Sequence, residues 1–180
     1  KRKLKYSWKL AQLGSGALVG VDTAMPNKIV GEALRVNAIP QLEYAKVRPE
    51  VKYGENSRVD FLLTDSDKPD CYVEVKSVTL SREQGLAEFP DSVTKRGAKH
   101  MAELAGMVDQ GHRAVLLYLV QRNDADRFAV AGDIDPEWHK YSGNLSRAAG
   151  RDDRIPRHRH SARHARPGRS SGPGGGFGSN

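Results

Sequence analysis

The sequence is poor in cysteine and in long apolar runs. Cys71 is the only cysteine among the 180 residues, so no intrachain disulfide can form. The longest apolar run, Ala114 to Val120, has seven residues, whereas a membrane-spanning helix needs about 20. The basic start of the chain is not followed by an apolar stretch long enough for a secretory signal. These absences predict a protein of a reducing, cytoplasmic compartment without a membrane partner.

Excess positive charge is also missing from most of the chain, although the formal net charge is +7. Residues 1–138 contain 20 Lys or Arg and 20 Asp or Glu, so their charges cancel. Residues 139–180 contain nine Lys or Arg but only two Asp or Glu. The basicity therefore belongs to the C-terminal tail, which is rich in Arg, His, Pro, Gly and Ser. Such a segment buries too little surface to offset its ordering entropy, so residues 141–180 are predicted to be disordered. Net charge gives no argument for nucleic-acid binding by the remainder of the chain.

Two other kinds of site are disfavoured by the sequence. A glycine-rich phosphate loop needs a preceding strand, and the densest glycine cluster, residues 172–178, lies in the tail without one. His158, His160 and His164 have a spacing that suits a metal, but an Arg-rich tract predicted to be disordered is a poor frame for ligands. Neither segment is therefore taken as a site.

Helical and strand periodicities follow one another along residues 22–140. The predicted order is helix, three strands, helix and strand, over residues 26–36, 47–53, 58–63, 71–78, 91–111 and 113–121. Residues 81–90 are predicted to be irregular, and residues 124–138 to hold a turn or a short helix. This order indicates an α/β fold in which helices flank a mixed sheet.

Charged residues interrupt two apolar strands at Asp60, Glu74 and Lys76. Strand alternation points the odd-numbered residues 59–63 to the core, and it places Asp60, Glu74 and Lys76 together on the other face. If the two strands form a hairpin, the carboxylates of Asp60 and Glu74 approach each other. Two close carboxylates repel and favour a divalent cation such as Mg²⁺ or Mn²⁺. Such a cation readies a water for attack on a phosphodiester, with Lys76 assisting the water or the developing anion.

The alternative interpretation of the same residues is a surface salt bridge between Lys76 and a carboxylate. The Glu-x-Lys pattern is common on strands by chance, and an exposed ion pair contributes only about 0–1 kcal/mol to stability. Asp60 on the preceding strand, with one helix before and one after, favours the metal site, because this is the element order of the PD-(D/E)XK nuclease core.

Further charged residues near these strands are candidates for metal or phosphate binding. Glu32, on the predicted first helix, either adds a metal contact as a catalytic residue or is an ordinary solvated side chain. The cations near the start of the second helix suit a DNA phosphate, because a helix N-terminus attracts anions; they could equally form a solvated face. The candidates for DNA binding are Arg58, Lys95, Arg96, Lys99 and His100.

Several segments together resemble the sugar fermentation stimulation protein (SfsA) family. They are "KRKLKYSWKL", "LVGVDTAMPNKIVGEAL", "VKYGENSRVDFLLTD", "CYVEVKSVTL", "AEFPDSVTKRGAKHMAELAGMV", "GHRAVLLYLVQR" and "DIDPEW", which cover about residues 1–138. The resemblance implies an N-terminal OB-like domain, of which residues 1–21 are a remnant, and a PD-(D/E)XK nuclease-like domain over residues 22–140. It also implies DNA as the partner and places Asp60, Glu74 and Lys76 in the active-site positions, with Glu32 as a weaker candidate.

Two functions are therefore expected. The first is a DNA-binding protein with metal-dependent phosphodiester hydrolysis, in which Asp60 and Glu74 hold Mg²⁺ or Mn²⁺. The second is a non-catalytic DNA-binding regulator of sugar (maltose-type) utilisation genes. The abrupt change of composition near Tyr141 further suggests that the tail comes from a shifted reading frame or a misplaced gene end; sequencing the genomic locus tests this hypothesis, and an intact frame would reject it.

Overall fold

Eight strands and three α-helices form the part of the chain that the structure, a computed structural model, describes: residues 6–54, 57–93 and 95–148. In chain order these are β1 Leu10–Gln12, β2 Leu18–Gly20, α1 Met25–Arg35, a 3₁₀ turn Pro40–Leu42, β3 Lys46–Tyr53, β4 Ser57–Thr64, β5 Cys71–Val78, β6 Gly85–Phe89, α2 Lys95–Asp109, β7 Arg113–Val120, β8 Ala125–Val130 and α3 Pro136–Ala148. In these described residues no helix has the length and apolar character needed to cross a membrane.

A four-stranded mixed sheet in the order β3-β4-β5-β7 organises the molecule. Strands β3, β4 and β5 pair antiparallel, whereas β7 runs parallel to β5 along its whole length. A parallel neighbour needs a crossover connection, and here the segment between β5 and β7 contains β6 and α2. The prediction of a mixed sheet flanked by helices is confirmed.

The two faces of this sheet are packed by different helices. On the first face, Val30 and Leu34 of α1 join Phe61 and Leu63 of β4 in one buried cluster. On the second face, Met101 and Leu104 of α2 and Trp138 of α3 pack against other residues of β3 and β4. The buried cluster on one face of the sheet is therefore covered by α1, and the cluster on the other face by α2 and α3.

Close packing sets the position of α1. Gly31 faces the Phe61 ring, and a Cβ atom at Gly31 would lie 3.1 Å from that ring, which is too tight for ordinary packing. The glycine therefore lets the helix approach β4 closely. Asn27 lies four residues earlier on the same helical face, and it is brought over the strand beside Phe61.

The strand alternation predicted for residues 59–63 is broken in the structure. Phe61 and Leu63 belong to the buried cluster on the α1 face, whereas Val59 belongs to the cluster on the α2 face. The β3–β4 register is the same at Pro49↔Phe61 and at Val51↔Val59, but the residues between them, Glu50 and Asp60, are not paired. Glu50 has a left-handed φ of 53°. The prediction that Val59 shares a face with Phe61 was wrong, because β4 turns between these residues at the unpaired Asp60.

The segments predicted to be irregular contain more regular structure than expected. Residues 81–90 include β6, and residues 124–138 include β8, which pairs in parallel with β6 in a separate two-stranded sheet. Helix α3 continues to Ala148, so the predicted onset of disorder at residue 141 is too early. The remainder of the predicted tail, residues 149–180, lies outside the described residues, as do His158, His160 and His164.

Candidate functional site

The site lies where β4 and β5 separate. Their ladder consists of three pairs and ends at Phe61↔Val73; continuing the same register would place Asp60 opposite Glu74. Instead, the Asp60 side chain enters the gap, and its Oδ2 accepts the backbone N–H of Val75 at 2.7 Å. A carboxylate therefore takes the place of a backbone carbonyl, which satisfies a donor that the separated strands would leave unpaired.

Helix α1 supplies the second partner of Asp60. The Asn27 side-chain amide donates to Asp60 Oδ1 at 2.7 Å, so each oxygen of this carboxylate accepts one N–H. Asn27 is available there because Gly31 allows α1 to pack closely on β4. The position and orientation of Asp60 are thus determined jointly by β5 and α1.

Glu74 and Lys76 both point toward α2 and α3, as their two-residue spacing on a strand predicts. The expectation that Asp60 shares their face is not met, because its side chain lies in the gap between β4 and β5 and bonds to α1 through Asn27. Lys76 Nζ donates to Glu74 Oε1 at 2.8 Å. His100 Nδ1, from α2, lies 3.0 Å from the same oxygen. Glu74 is 5% exposed, so this is a buried ion pair rather than the surface salt bridge considered as the alternative.

The two carboxylate oxygens of Glu74 differ in their hydrogen bonding. Glu74 Oε2 is buried and has no hydrogen-bond partner within the described residues. The hydroxyl of Tyr53 and Oε2 of Glu103 are also buried and without a hydrogen-bond partner in the described residues. Buried polar atoms are normally satisfied by protein or by ordered water, so three such oxygens from β3, β5 and α2 make this polar region a candidate site for water or an ion.

Lys76 is held from two sides. Its ammonium group lies 5.2 Å from the centre of the Trp138 ring, a cation–π distance, and 2.8 Å from Glu74 Oε1. The Trp138 indole N–H donates to the Tyr118 hydroxyl at 3.0 Å, which fixes the ring. Helix α3 therefore takes part in placing the lysine.

The electrostatics of the site show an excess of negative charge. Burial, and then the charge of Glu74, raise the pKa of Asp60, although hydrogen bonds from Val75 and Asn27 and the charge of Lys76 oppose this. The pKa of Tyr53 is also raised, first by burial and then by the charges of Glu74, Glu103 and Asp60. A cation near these carboxylates would relieve both effects.

The residues present fit a divalent cation in part. Carboxylate oxygens are its preferred ligands, and Glu74 Oε2 is a buried carboxylate oxygen without a hydrogen-bond partner in the described residues. Asp60 is already hydrogen-bonded at both oxygens, but each oxygen retains a second lone pair. In the described ranges, no group of three or more His, Cys, Asp or Glu side chains is arranged to hold a metal. An ion held by Asp60 from the strand gap and by Glu74 from the α2 side would need water or backbone oxygens to complete its coordination.

A cleft of about 230 Å³ adjoins Asp60 on the α1 side. Asn27 and Asp60 form part of its wall, and Glu32, which is exposed on α1, also lines it. Lys28 and Arg35 contribute positive charge to the same wall. The structure thus brings Glu32 to a surface that it shares with Asp60.

The predicted DNA-binding residues fall into two groups. Arg58 on β4 and Lys95, Arg96 and Lys99 at the start of α2 are exposed, and Lys99 Nζ lies 3.7 Å from Glu103 Oε1. His100 is 9% exposed and contacts Glu74, so it belongs to the buried cluster rather than to the outer face of the helix.

Several contributors to the site were not found by sequence reasoning. They are Asn27, Tyr53, Glu103, Tyr118 and Trp138. Each makes its contact across many residues of sequence, so strand or helix periodicity gives no signal for the contact. The only available hint was that His100 and Glu103 share a helical face by their three-residue spacing.

Comparison with known proteins gives a consistent result. The model of the family described as "Sugar fermentation stimulation protein RE domain" matches residues 24–151, which include all of α1 to α3. Curated proteins called "Sugar fermentation stimulation protein homolog" match with high identity. The protein from Ruegeria sp. (strain TM1040) is 61% identical over 139 residues, which are 77% of this chain and 60% of that protein. The protein from Dinoroseobacter shibae is 57% identical over 151 residues, 83% of this chain and 62% of that protein.

A solved structure is also similar. It is that of SfsA from Pyrococcus furiosus in complex with Ca²⁺, with a TM-score of 0.66 and 27% sequence identity. The match covers 74% of this chain and 57% of that one. The chain thus spans about 60% of the length of the relatives that it matches.

Proposed function

The chain belongs to the sugar fermentation stimulation protein family, and from this premise we propose that it binds DNA and hydrolyses phosphodiester bonds with a divalent metal ion. The proposed core is that of the PD-(D/E)XK nucleases, with Asp60, Glu74 and Lys76 in the active-site positions. The observation that supports this most is the buried Glu74 Oε2, which has no hydrogen-bond partner among the described residues, while Oε1 of the same carboxylate contacts Lys76 and His100.

The roles of the residues follow from their positions. Asp60 and Glu74 hold Mg²⁺ or Mn²⁺, because ionised carboxylates are hard oxygen ligands. The bound ion supplies an acidified water and charge neutralisation at the phosphate. Lys76, the only cation of this trio, orients the attacking water or donates to the oxygen that gains negative charge. Glu32 lines the cleft on the α1 side of Asp60, where it would add a further carboxylate near the ion.

The relative of known structure supports a cation at this family's fold. That protein is described in complex with Ca²⁺, which has the same preference for oxygen ligands as Mg²⁺ but accepts more of them at longer distances. Ca²⁺ is therefore a suitable probe for binding, and Mg²⁺ or Mn²⁺ are the proposed catalytic ions.

The DNA surface is proposed to combine the exposed cations near the site. Arg58 precedes Asp60 by two residues on β4, and Lys95, Arg96 and Lys99 lie in the first turns of α2. Such side chains contact phosphates and read no sequence, so they would give binding that weakens with salt. His100 is not among them, because it is buried against Glu74.

A second candidate function is a DNA-binding regulator that keeps the nuclease fold without cleavage. Two observations favour it: both Asp60 oxygens already accept N–H groups, and the described residues contain no ready group of three metal-binding side chains. The family's description as sugar fermentation stimulation proteins also fits control of sugar-utilisation genes.

A cleavage assay separates the two functions. Single- and double-stranded DNA are incubated with the protein and Mg²⁺ or Mn²⁺, beside Lys76→Ala and the matched control Lys52→Ala, an exposed lysine of β3. We expect cleavage by the wild type and the control and a loss of at least about 100-fold in Lys76→Ala. Equal cleavage by all three, or none by any, rejects the catalytic function. Salt-dependent DNA binding that survives Asp60→Asn and Glu74→Gln without cleavage supports the regulator.

A further inference from the structure

His100 is the one basic residue near the start of α2 that turns toward the sheet. Its neighbours Lys95, Arg96 and Lys99 are exposed, whereas only 11% of the His100 side chain is exposed. The ring lies between the helix and β5, and its Nδ1 is 3.0 Å from Glu74 Oε1. The position therefore connects a residue of α2 directly with the proposed metal ligand of β5.

The direction of this hydrogen bond follows from the chemistry of its partners. An ionised carboxylate only accepts hydrogen bonds, so Nδ1 carries the proton and donates. Lys76 Nζ donates to the same oxygen at 2.8 Å. Glu74 Oε1 thus accepts two donors, one from its own strand and one from α2, whereas Oε2 has no partner in the described part of the chain.

Two donors on one oxygen restrict the rotation of the carboxylate more than either does alone. The lysine amine is a flexible point charge, whereas the imidazole is a planar group packed between two elements. Removing the imidazole leaves Glu74 free to turn about the lysine contact. The direction in which Glu74 Oε2 points would then no longer be fixed.

We propose that His100 is a positioning residue that fixes Glu74 so that Oε2 is the oxygen offered to a divalent cation. This inference rests on the proposed metal-binding function, and it assigns to His100 an action through Glu74 rather than contact with substrate. Outer-shell partners of this kind typically change metal affinity by about 10- to 100-fold when removed.

Two variants separate positioning from packing. His100→Asn keeps an amide N–H near the place of Nδ1, whereas His100→Leu fills similar space without a donor. Ala102→Ser, an exposed change on the same helix, is the control. In a calorimetric titration with Ca²⁺, we expect the affinity of His100→Leu to fall about 10- to 100-fold, and that of His100→Asn to stay within about threefold of the wild type. Thermal unfolding of each variant shows whether it is folded at the titration temperature.

A spectroscopic measurement tests the bond without any metal. Long-range ¹H–¹⁵N spectra of the metal-free protein report which ring nitrogen of His100 is protonated, and we expect Nδ1 to carry a proton. An unprotonated Nδ1 overturns the proposal, because the orienting hydrogen bond would then be absent.

The outcomes distinguish this inference from the proposed function. If the wild type binds Ca²⁺ and Asp60→Asn and Glu74→Gln lose it, while His100→Leu binds as the wild type does, the positioning role is overturned and the metal site stands. Equal losses in His100→Leu and His100→Asn also overturn it, since the retained donor would then be without effect. Absence of Ca²⁺ binding in the wild type overturns both.

Discussion

Asp60 experiences opposing influences at the centre of the site. Burial and the charge of Glu74 disfavour its ionised form, whereas the N–H groups of Val75 and Asn27 and the charge of Lys76 favour it. Burial and the charge of Glu74 dominate, so the pKa of the Asp60 carboxyl is raised. In the absence of a metal, keeping Asp60 ionised therefore costs the native state stability.

This predicts a specific pH dependence for the metal-free protein. A carboxyl whose native pKa is raised binds its proton more readily in the folded state, so its ionisation destabilises the protein above that pKa. As the pH falls through the native pKa toward the unfolded value near 3.9, the wild type should gain stability relative to Asp60→Asn. Urea unfolding in EDTA at several pH values between 4 and 8 measures the difference between the two proteins. If the difference in free energy of unfolding between the two proteins stays constant over this pH range, the pKa of Asp60 is not raised in the native state.

Some of the residue contacts in the site could be predicted from the sequence. The pairing of Glu74 with Lys76 on one face follows from the two-residue period of a strand, and the structure has it. The contacts of His100 and Asn27 could not be predicted, because they span 26 and 33 residues and depend on how α2 and α1 dock on the sheet. Periodicity gives the face of an element that is buried, not the partner that it meets.

Among the elements, the irregularity of β3 and β4 does most to shape the site. Glu50, on β3, has a φ of 53° where an L-residue other than glycine is strained. Across from it, β4 changes the face that its side chains occupy between Val59 and Phe61. The turn of the chain at this point lets the Asp60 side chain reach Val75 instead of lying in a regular ladder.

A substitution at Glu50 tests whether this conformation is strained. Glycine adopts a positive φ without the clash of a Cβ atom, so Glu50→Gly should be more stable than Glu50→Gln by about 1 kcal/mol. Both changes remove the same charge, which makes Glu50→Gln the matched control for electrostatics. Chemical denaturation gives the two free energies of unfolding; a less stable glycine variant would mean that the backbone here is not strained.

The elements that sequence reasoning missed share a physical cause. Strand β8 carries exposed Asp126 and Arg127 in its middle, so its apolar pattern is too short to indicate a strand. Strand β6 is five residues long and starts at Gly85, whose φ is 78°. These two strands pair with each other across about 40 residues, and such long-range pairing leaves no local signature.

For the molecule as a whole, family membership and charge distribution lead to different expectations. The match to the family covers residues 24–151, and in that region acidic and basic residues are nearly balanced. The net charge of +7 arises C-terminal to residue 138, so the proposed DNA binding by the α/β domain would have to rest on local cations rather than on a global field. In the proposed function, activity would therefore depend on the small set of residues around Asp60 and Glu74.

The most direct test of that dependence is a calorimetric titration of the protein with Ca²⁺. We expect one site per chain in the wild type, an affinity at least about 10-fold weaker in Asp60→Asn and in Glu74→Gln, and no change in Glu83→Gln. Glu83 is a suitable control because it is exposed and pairs with Arg127, away from the site. Equal binding by all four proteins, or no binding by the wild type, would contradict the claim that Asp60 and Glu74 form a metal site.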